Sequence, residues 1–190
     1  GAIGVNTRKV DLLSFAVGSG LAGLAGLALS TIYNVNPTMG TNFIVTYLDT
    51  TETDYTGDLQ QLLLEINDAV STYIPSSEIS TFNKKDSLKV ASDGHFIRNY
   101  FLAKKIYEQT DGWFNPSVMP LVNFWGFGYT KKEMVKDVAA ETVDSLLQLV
   151  QFDSIKVIEK EAAYFLFKKL PNLELDFSAI AKGDAVDEVG

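Results

Sequence analysis

Cysteine is absent from this chain of 190 residues. That excludes a disulfide frame, a thiolate metal site and a lipid-bearing cysteine. Histidine occurs once, as His95, which follows the Asp93-Gly94 turn and reads as a surface residue rather than a base or a ligand. Positive charge is the scarcer sign: 16 Lys and Arg stand against 24 Asp and Glu, a formal net charge of −8. A nucleic-acid surface needs a basic patch, and this balance argues against one. Internal repeats and low-complexity linkers are also missing. What is present is 46% apolar residues, enough for a packed core and too many for wholesale disorder. The chain opens on Gly1 rather than Met and closes on Gly190 inside a helix-like pattern, so both ends read as cut.

Charge is missing in a second way. The first 45 residues hold only Arg8, Lys9 and Asp11 as charges, and none falls between Leu12 and Ile32. That span matches the roughly 20 residues a helix needs to cross a bilayer. Gly18, Ala22 and Gly26 recur at every fourth position, as do Ser19 and Gly23, a spacing that lets membrane helices approach closely. Gly18, Gly20 and Gly23 also fit a dinucleotide fingerprint, G-x-G-x-x-G. The next acidic residue after Asp11 is Asp49, too late for the ribose contact that fingerprint requires. The stretch Leu21 to Leu29 has no polar face, so the membrane reading is preferred. A cleaved signal sequence is the weaker option, its apolar region usually being shorter. The basic pair Arg8-Lys9 keeps the N-terminal side cytoplasmic.

Beyond this segment the patterning is mixed α and β. Thr41 to Leu48 is rich in strand-forming side chains. Asp58 to Tyr73 carries Leu59, Leu62, Leu63, Ile66, Ala69, Val70 and Tyr73 at the helical period, and Pro75 stops it. A second helix is expected over Phe96 to Thr110, with Phe96, Tyr100, Ala103, Ile106 and Tyr107 inward and Gly112 as terminator. A third is expected over Glu141 to Val150. Ser154 to Ile158, Tyr164 to Phe167 and Leu173 to Phe177 read as strands, with Glu159-Lys160-Glu161 as a solvent hairpin turn.

Between the second and third helices lies Asp111 to Gly128, DGWFNPSVMPLVNFWGFG. It holds both tryptophans, Trp113 and Trp125, with Phe114, Phe124 and Phe127. Pro116, Pro120, Gly112, Gly126 and Gly128 make it neither a regular helix nor a central strand. Aromatics on such a loop can wall a pocket for a flat ligand, or plug the core of their own domain. On residue types alone the plug is the simpler reading.

The wording of that loop resembles the signature of the FAD:protein FMN transferases, the ApbE family. Two further stretches carry the same resemblance in the same order. One is Ser71 to Asn83, STYIPSSEISTFN; the other is Asp176 to Gly183, DFSAIAKG. The resemblance covers about Met39 to Gly190, roughly the first half of such a domain. It implies an α+β, ApbE-like flavin transferase domain over residues 38–190, truncated, behind a transmembrane helix in residues 1–37. It also implies transfer of FMN from FAD, through a phosphoester bond, to a Thr or Ser hydroxyl of a target protein, with release of AMP and help from Mg2+. FAD contacts carry over to Met39, Tyr73, Trp113, Phe114, Asn115, Asp176 and Lys182. One metal ligand carries over, the main-chain carbonyl of Ala179; the family's other ligands, an Asp and a Thr, come from the later half. A fragment with that one ligand is expected to be inactive alone. With the membrane segment, the resemblance places the domain on the periplasmic face of a bacterial inner membrane.

Physical chemistry gives several of these residues a second reading. Asp176 stands where a strand gives way to a helix, and serves equally as a helix cap or as an acceptor toward a ligand. The helix start offers free N–H groups to a pyrophosphate. Lys182 can neutralise phosphate, or simply be solvated. Tyr73 falls at a core position by periodicity. Met39 lines a pocket or fills a gap. Two departures from the family stand out. Asn115 replaces the usual Asp, keeping an acceptor but losing the charge. Asp184 replaces the usual Tyr, and a carboxylate there would repel pyrophosphate unless turned away. The alternatives on the same fold are a FAD-binding carrier and a FAD pyrophosphatase. Residues 1–45 also resemble a segment of a urea or branched-chain amino-acid ABC-transporter permease. The two resemblances overlap at Thr38-Met39-Gly40-Thr41, which suggests a chimera or, alternatively, a genuine membrane anchor.

Overall fold

The computed structural model describes residues 43–47, 53–128 and 139–190. Leu12 to Ile32 and Met39 lie outside them. No helix among the described residues is long and apolar enough to cross a membrane. The chain divides into two compact units, Gly1–Gly57 and Asp58–Gly190. In the first, residues 43–47 form no strand, despite their strand-favouring side chains.

Helix α1, Thr56–Val70, buries Leu63, Ile66, Ala69 and Val70, the stripe its period requires. It ends three residues before Tyr73, so the helical period does not reach that ring. Helix α2, Glu78–Lys84, follows after a turn. Ser77 caps it, its Oγ accepting from the Ser80 amide at 3.1 Å and donating to the Ser71 carbonyl at 2.6 Å. Strand β1, Ser87–Ala91, leads through Asp93-Gly94 into helix α3, His95–Gln109. That helix buries Phe96, Ile97, Asn99, Tyr100 and Ala103. Neither α2 nor β1 shows a full apolar period in its few residues, which is why the sequence pattern passes over them.

The Asp111–Gly128 stretch is not wholly irregular. A short helix α4, Met119–Phe124, sits inside it with Pro120 in its first turn, where the missing N–H costs nothing. Helix α5, Ala140–Leu147, precedes a hairpin of β2, Ile155–Lys160, and β3, Ala163–Lys168. Glu159 and Lys160 belong to β2 rather than to the turn, which falls at Glu161 and Ala162; Glu161 takes a left-handed φ of 56°. The sheet is antiparallel in the order β1-β3-β2, with Leu88 opposite Leu166 and Val157 opposite the same residue. Helix α6, Ser178–Val189, closes the described chain and packs on α3.

Residues 173–177 are not a strand. They alternate as a strand would, with Leu173, Leu175 and Phe177 fully buried. Their main chain is bonded to a side chain and a loop carbonyl instead of a ladder, as described next. The core beneath is aromatic: Phe96 lies 6.0 Å from Phe82 and 5.5 Å from Phe177, ring centre to ring centre.

Candidate functional site

Asp176 anchors the site from two directions. Its Oδ1 accepts from the Ser178 amide at 2.8 Å and from the Ser178 hydroxyl. This turn precedes α6, whose N-cap, Phe177, has no capping side chain of its own. Asn115 makes the same turn one motif earlier, its Oδ1 accepting from the Ser117 amide at 3.0 Å and hydroxyl at 2.7 Å. The two turns are tied together, because the Asp176 amide donates to the Pro116 carbonyl at 2.8 Å. One residue earlier, the Leu175 main chain is held by the first motif. Asn83 Nδ2 donates to the Leu175 carbonyl at 2.8 Å, and Asn83 Oδ1 accepts from the Leu175 amide at 2.7 Å. Three stretches far apart in sequence therefore meet on two consecutive residues.

The acceptor at Asn115 that survives the replacement of Asp is spent on Ser117. Asp176 keeps Oδ2 without a hydrogen bond among the described residues, so a half-exposed carboxylate oxygen is left for a donor from outside. Trp113 is 93% exposed and Tyr73 is 58% exposed. This overturns the core position that periodicity gives Tyr73, since α1 has already ended. It also corrects the plug reading of the loop. No aromatic of the loop is fully buried: Trp113 and Phe127 face outward, Phe114, Phe124 and Trp125 are half-buried, and the buried residues there include Pro116, Met119 and Pro120. Phe114 is half-buried, its amide held by the Thr110 hydroxyl at 3.0 Å. Gly112, with φ 81°, turns the chain out of α3 and donates to the Tyr107 carbonyl at 2.9 Å.

Lys182 is exposed on α6, and neither it nor Tyr73 is joined to the Asp176 junction by a hydrogen bond or ion pair among the described residues. Asp184 is turned away from the helix start. It is buried against α3, with Oδ1 2.9 Å from Arg98 Nε and Oδ2 accepting from Asn99 Nδ2 at 2.8 Å. Arg98 also reaches Glu188 at 2.6 Å and donates from Nη2 to the His95 Nδ1 at 2.6 Å. His95 is thus half-buried and bonded at the head of α3 rather than standing free at the surface.

The groups present offer chemistry of three kinds. Exposed aromatic faces suit flat rings, the free Asp176 oxygen suits an N–H or O–H donor, and the cationic Lys182 lies in the second turn of α6. They do not by themselves fit a magnesium ion. Among the described residues no group of three His, Cys, Asp or Glu side chains is placed to hold a metal. The Ala179 carbonyl lies in the first turn of α6, and one carbonyl does not meet an octahedral demand for oxygen.

Sequence motifs missed the partners that hold the site. Asn83 closes the first motif without any sign of its role; a buried asparagine gives no periodic signal. Arg98 and Asn99 look like ordinary helix residues until Asp184 is found against them.

Residues 39–190 match the model of the ApbE family. The FAD:protein FMN transferase of Haemophilus influenzae is 31% identical over 159 residues, covering 80% of this chain and 46% of that protein. The FAD:protein FMN transferase of Vibrio cholerae is 35% identical over 158 residues, with the same coverage of 80% and 46%. The solved structure of flavin transferase ApbE from Vibrio cholerae is similar at a TM-score of 0.69 and 31% identity, covering 83% of this chain and 52% of that one. The chain spans about half the length of the curated relatives it matches.

Proposed function

The chain belongs to the ApbE family, and from that premise we propose that it takes part in the transfer of FMN from FAD to a threonine or serine hydroxyl of a target protein. The observation that supports this reading most is the bond from the Asp176 amide to the Pro116 carbonyl, 2.8 Å long, which joins the second and third motifs at the start of α6.

In this reading each residue has a part set by its chemistry. A carboxylate repels phosphate and accepts from N–H or O–H groups, so Asp176 Oδ2 takes a donor on the dinucleotide. Phosphate belongs near Lys182 and the N–H groups of the first turn of α6. Asp184 does not oppose it, being paired with Arg98 and Asn99. Trp113 and Tyr73 offer stacking faces, and Asn115 shapes the turn beside Asp176. In the transfer, the acceptor hydroxyl oxygen bonds to the phosphorus bearing the flavin, and the bond from that phosphorus to the bridging oxygen breaks. AMP leaves with the bridging oxygen, and the hydroxyl proton passes to a base or to solvent. Magnesium would supply neutralisation of the developing phosphate charge; of its ligands, this chain offers the Ala179 carbonyl.

The test is mass spectrometry of a threonine-bearing acceptor protein after incubation with FAD and magnesium. It compares the 190-residue chain with a form extended to the length its relatives span. The expected result is an acceptor heavier by one FMN less a water, with AMP released, for the extended form and no labelling by the shorter chain. Free FMN with no labelled acceptor would point to a FAD pyrophosphatase, and bound but intact FAD to a carrier.

A further inference from the structure

We propose that Asn83 is a positioning residue for dinucleotide binding, whose side-chain amide sets where the Asp176 carboxylate stands. The inference rests on the functional reading above, and its test separates the two.

Residues 173–177 alternate as a strand but pair with no strand among the described residues. Leu175 is fully buried, so its N–H and C=O need partners inside the protein. One side chain supplies both: Asn83 donates to the carbonyl at 2.8 Å and accepts from the amide at 2.7 Å. An asparagine amide has a donor and an acceptor side by side, so it can replace the neighbouring strand for a single residue. The next amide, Asp176, is fixed by the Pro116 carbonyl. After it come the Ser178 turn and α6. The backbone that aims the Asp176 carboxylate is therefore held at two points, one of them the Asn83 side chain.

Asn83 is itself held. It is only 7% exposed, and its own carbonyl accepts from Lys168 Nζ at 3.0 Å. The Lys168 ammonium lies 4.9 Å from the centre of the Phe82 ring. A line of contacts thus runs from β3 through Lys168 and Asn83 to Leu175 and Asp176. Leu175 is fully buried and Asn83 nearly so, so their effect on a ligand is exerted through Asp176.

The experiment uses the full 190-residue chain, with two readouts on each variant. Amide hydrogen exchange at Leu175 and Asp176 reports the positioning without any flavin, and quenching of flavin fluorescence on titration with FAD reports the consequence. Asn83→Leu keeps the volume and removes both bonds. Phe152→Leu, a core change in a different aromatic cluster with Tyr100 and Tyr107, controls for general loss of stability. Lys168→Met keeps an apolar chain over Phe82 and removes the ammonium, and with it both the bond to the Asn83 carbonyl and the cationic contact with the ring, so it serves if Asn83→Leu does not fold. The expected result is faster exchange at the two amides and a loss of FAD affinity of about tenfold or more for Asn83→Leu, the scale of a lost buried hydrogen bond. Lys168→Met should lose roughly two- to fivefold by the same bond logic, and Phe152→Leu should keep the parent affinity while folded. Unchanged exchange at Leu175 and Asp176 in a folded Asn83→Leu or Lys168→Met chain would overturn the positioning role. Equal affinity losses in Phe152→Leu and Asn83→Leu would overturn it as well. Failure of the parent chain to bind FAD would instead overturn the flavin reading on which the proposal rests.

Discussion

Asp184 shows how one side chain can be neutral to a site and still matter to the molecule. Its carboxylate would sit badly beside a pyrophosphate, yet it is buried against Arg98 and Asn99 and linked through Arg98 to Glu188. Removing it leaves Arg98 with a poorer set of partners and Asn99 Nδ2 without its acceptor on α6. Breaking a fully buried pair costs several kcal/mol; Arg98 is 38% exposed, so solvent screens part of this. Asp184→Ala should lower stability by about 1–3 kcal/mol, read as a fall in the thermal or urea midpoint, with FAD affinity unchanged at temperatures where the chain is folded. An unchanged midpoint would mean the cluster contributes nothing net. The sequence posed the charge conflict at Asp184, because that depends on residue type alone. It did not show where the side chain would go, because the partners lie 85 and 86 positions earlier, on a face of α3 that no local pattern marks.

At the scale of elements, the long amphipathic helices were legible and the short connectors were not. α1 and α3 each bury a stripe at the helical period. α2 and α4 have seven and six residues and are defined by what caps and flanks them, namely Ser77 for the first and Val118 with Pro120 for the second. The expected strand at Leu173 to Phe177 had the right alternation, but alternation reports burial of one face and says nothing of a ladder. Gly112 was legible as a terminator, and its φ of 81° gives the reason. A Cβ there would also stand 3.4 Å from the Tyr107 ring. Gly112→Ala should therefore cost about 1–2 kcal/mol, seen as a lower unfolding midpoint; equal stability would mean the turn relaxes to a negative φ. Glu78, in the first turn of α2, has its carboxyl pushed above the ordinary 4.5 by burial. A raised folded value means the folded protein holds its proton longer than the unfolded chain does. The stability it allows is thus full below pH 4.5 and falls as pH rises through the folded value. Glu78→Gln should stabilise the chain at pH 7, by less than about 1 kcal/mol because the group is half-exposed, and should make no difference near pH 4. Urea melts at the two pH values check this, and a larger gain at pH 4 would reverse the sign.

For the whole molecule, the three quoted motifs carried the family and its α+β class, while their meeting point had to be seen in three dimensions. Asp176, Asn115 and Asn83 converge because Leu175 and Asp176 take their main-chain partners from the other two motifs. Met39 and the uncharged Leu12 to Ile32 lie outside the described residues. The central claim is that this junction binds a flavin dinucleotide through Asp176, and equilibrium titration of FAD tests it most directly. The 190-residue chain, its Asp176→Ala variant and a surface control, Lys104→Ala, would be followed by flavin fluorescence in one buffer. Loss of a charge-assisted hydrogen bond should weaken FAD binding by Asp176→Ala by roughly ten- to a hundredfold, while Lys104→Ala binds like the parent. Equal affinities for all three folded chains would contradict the account.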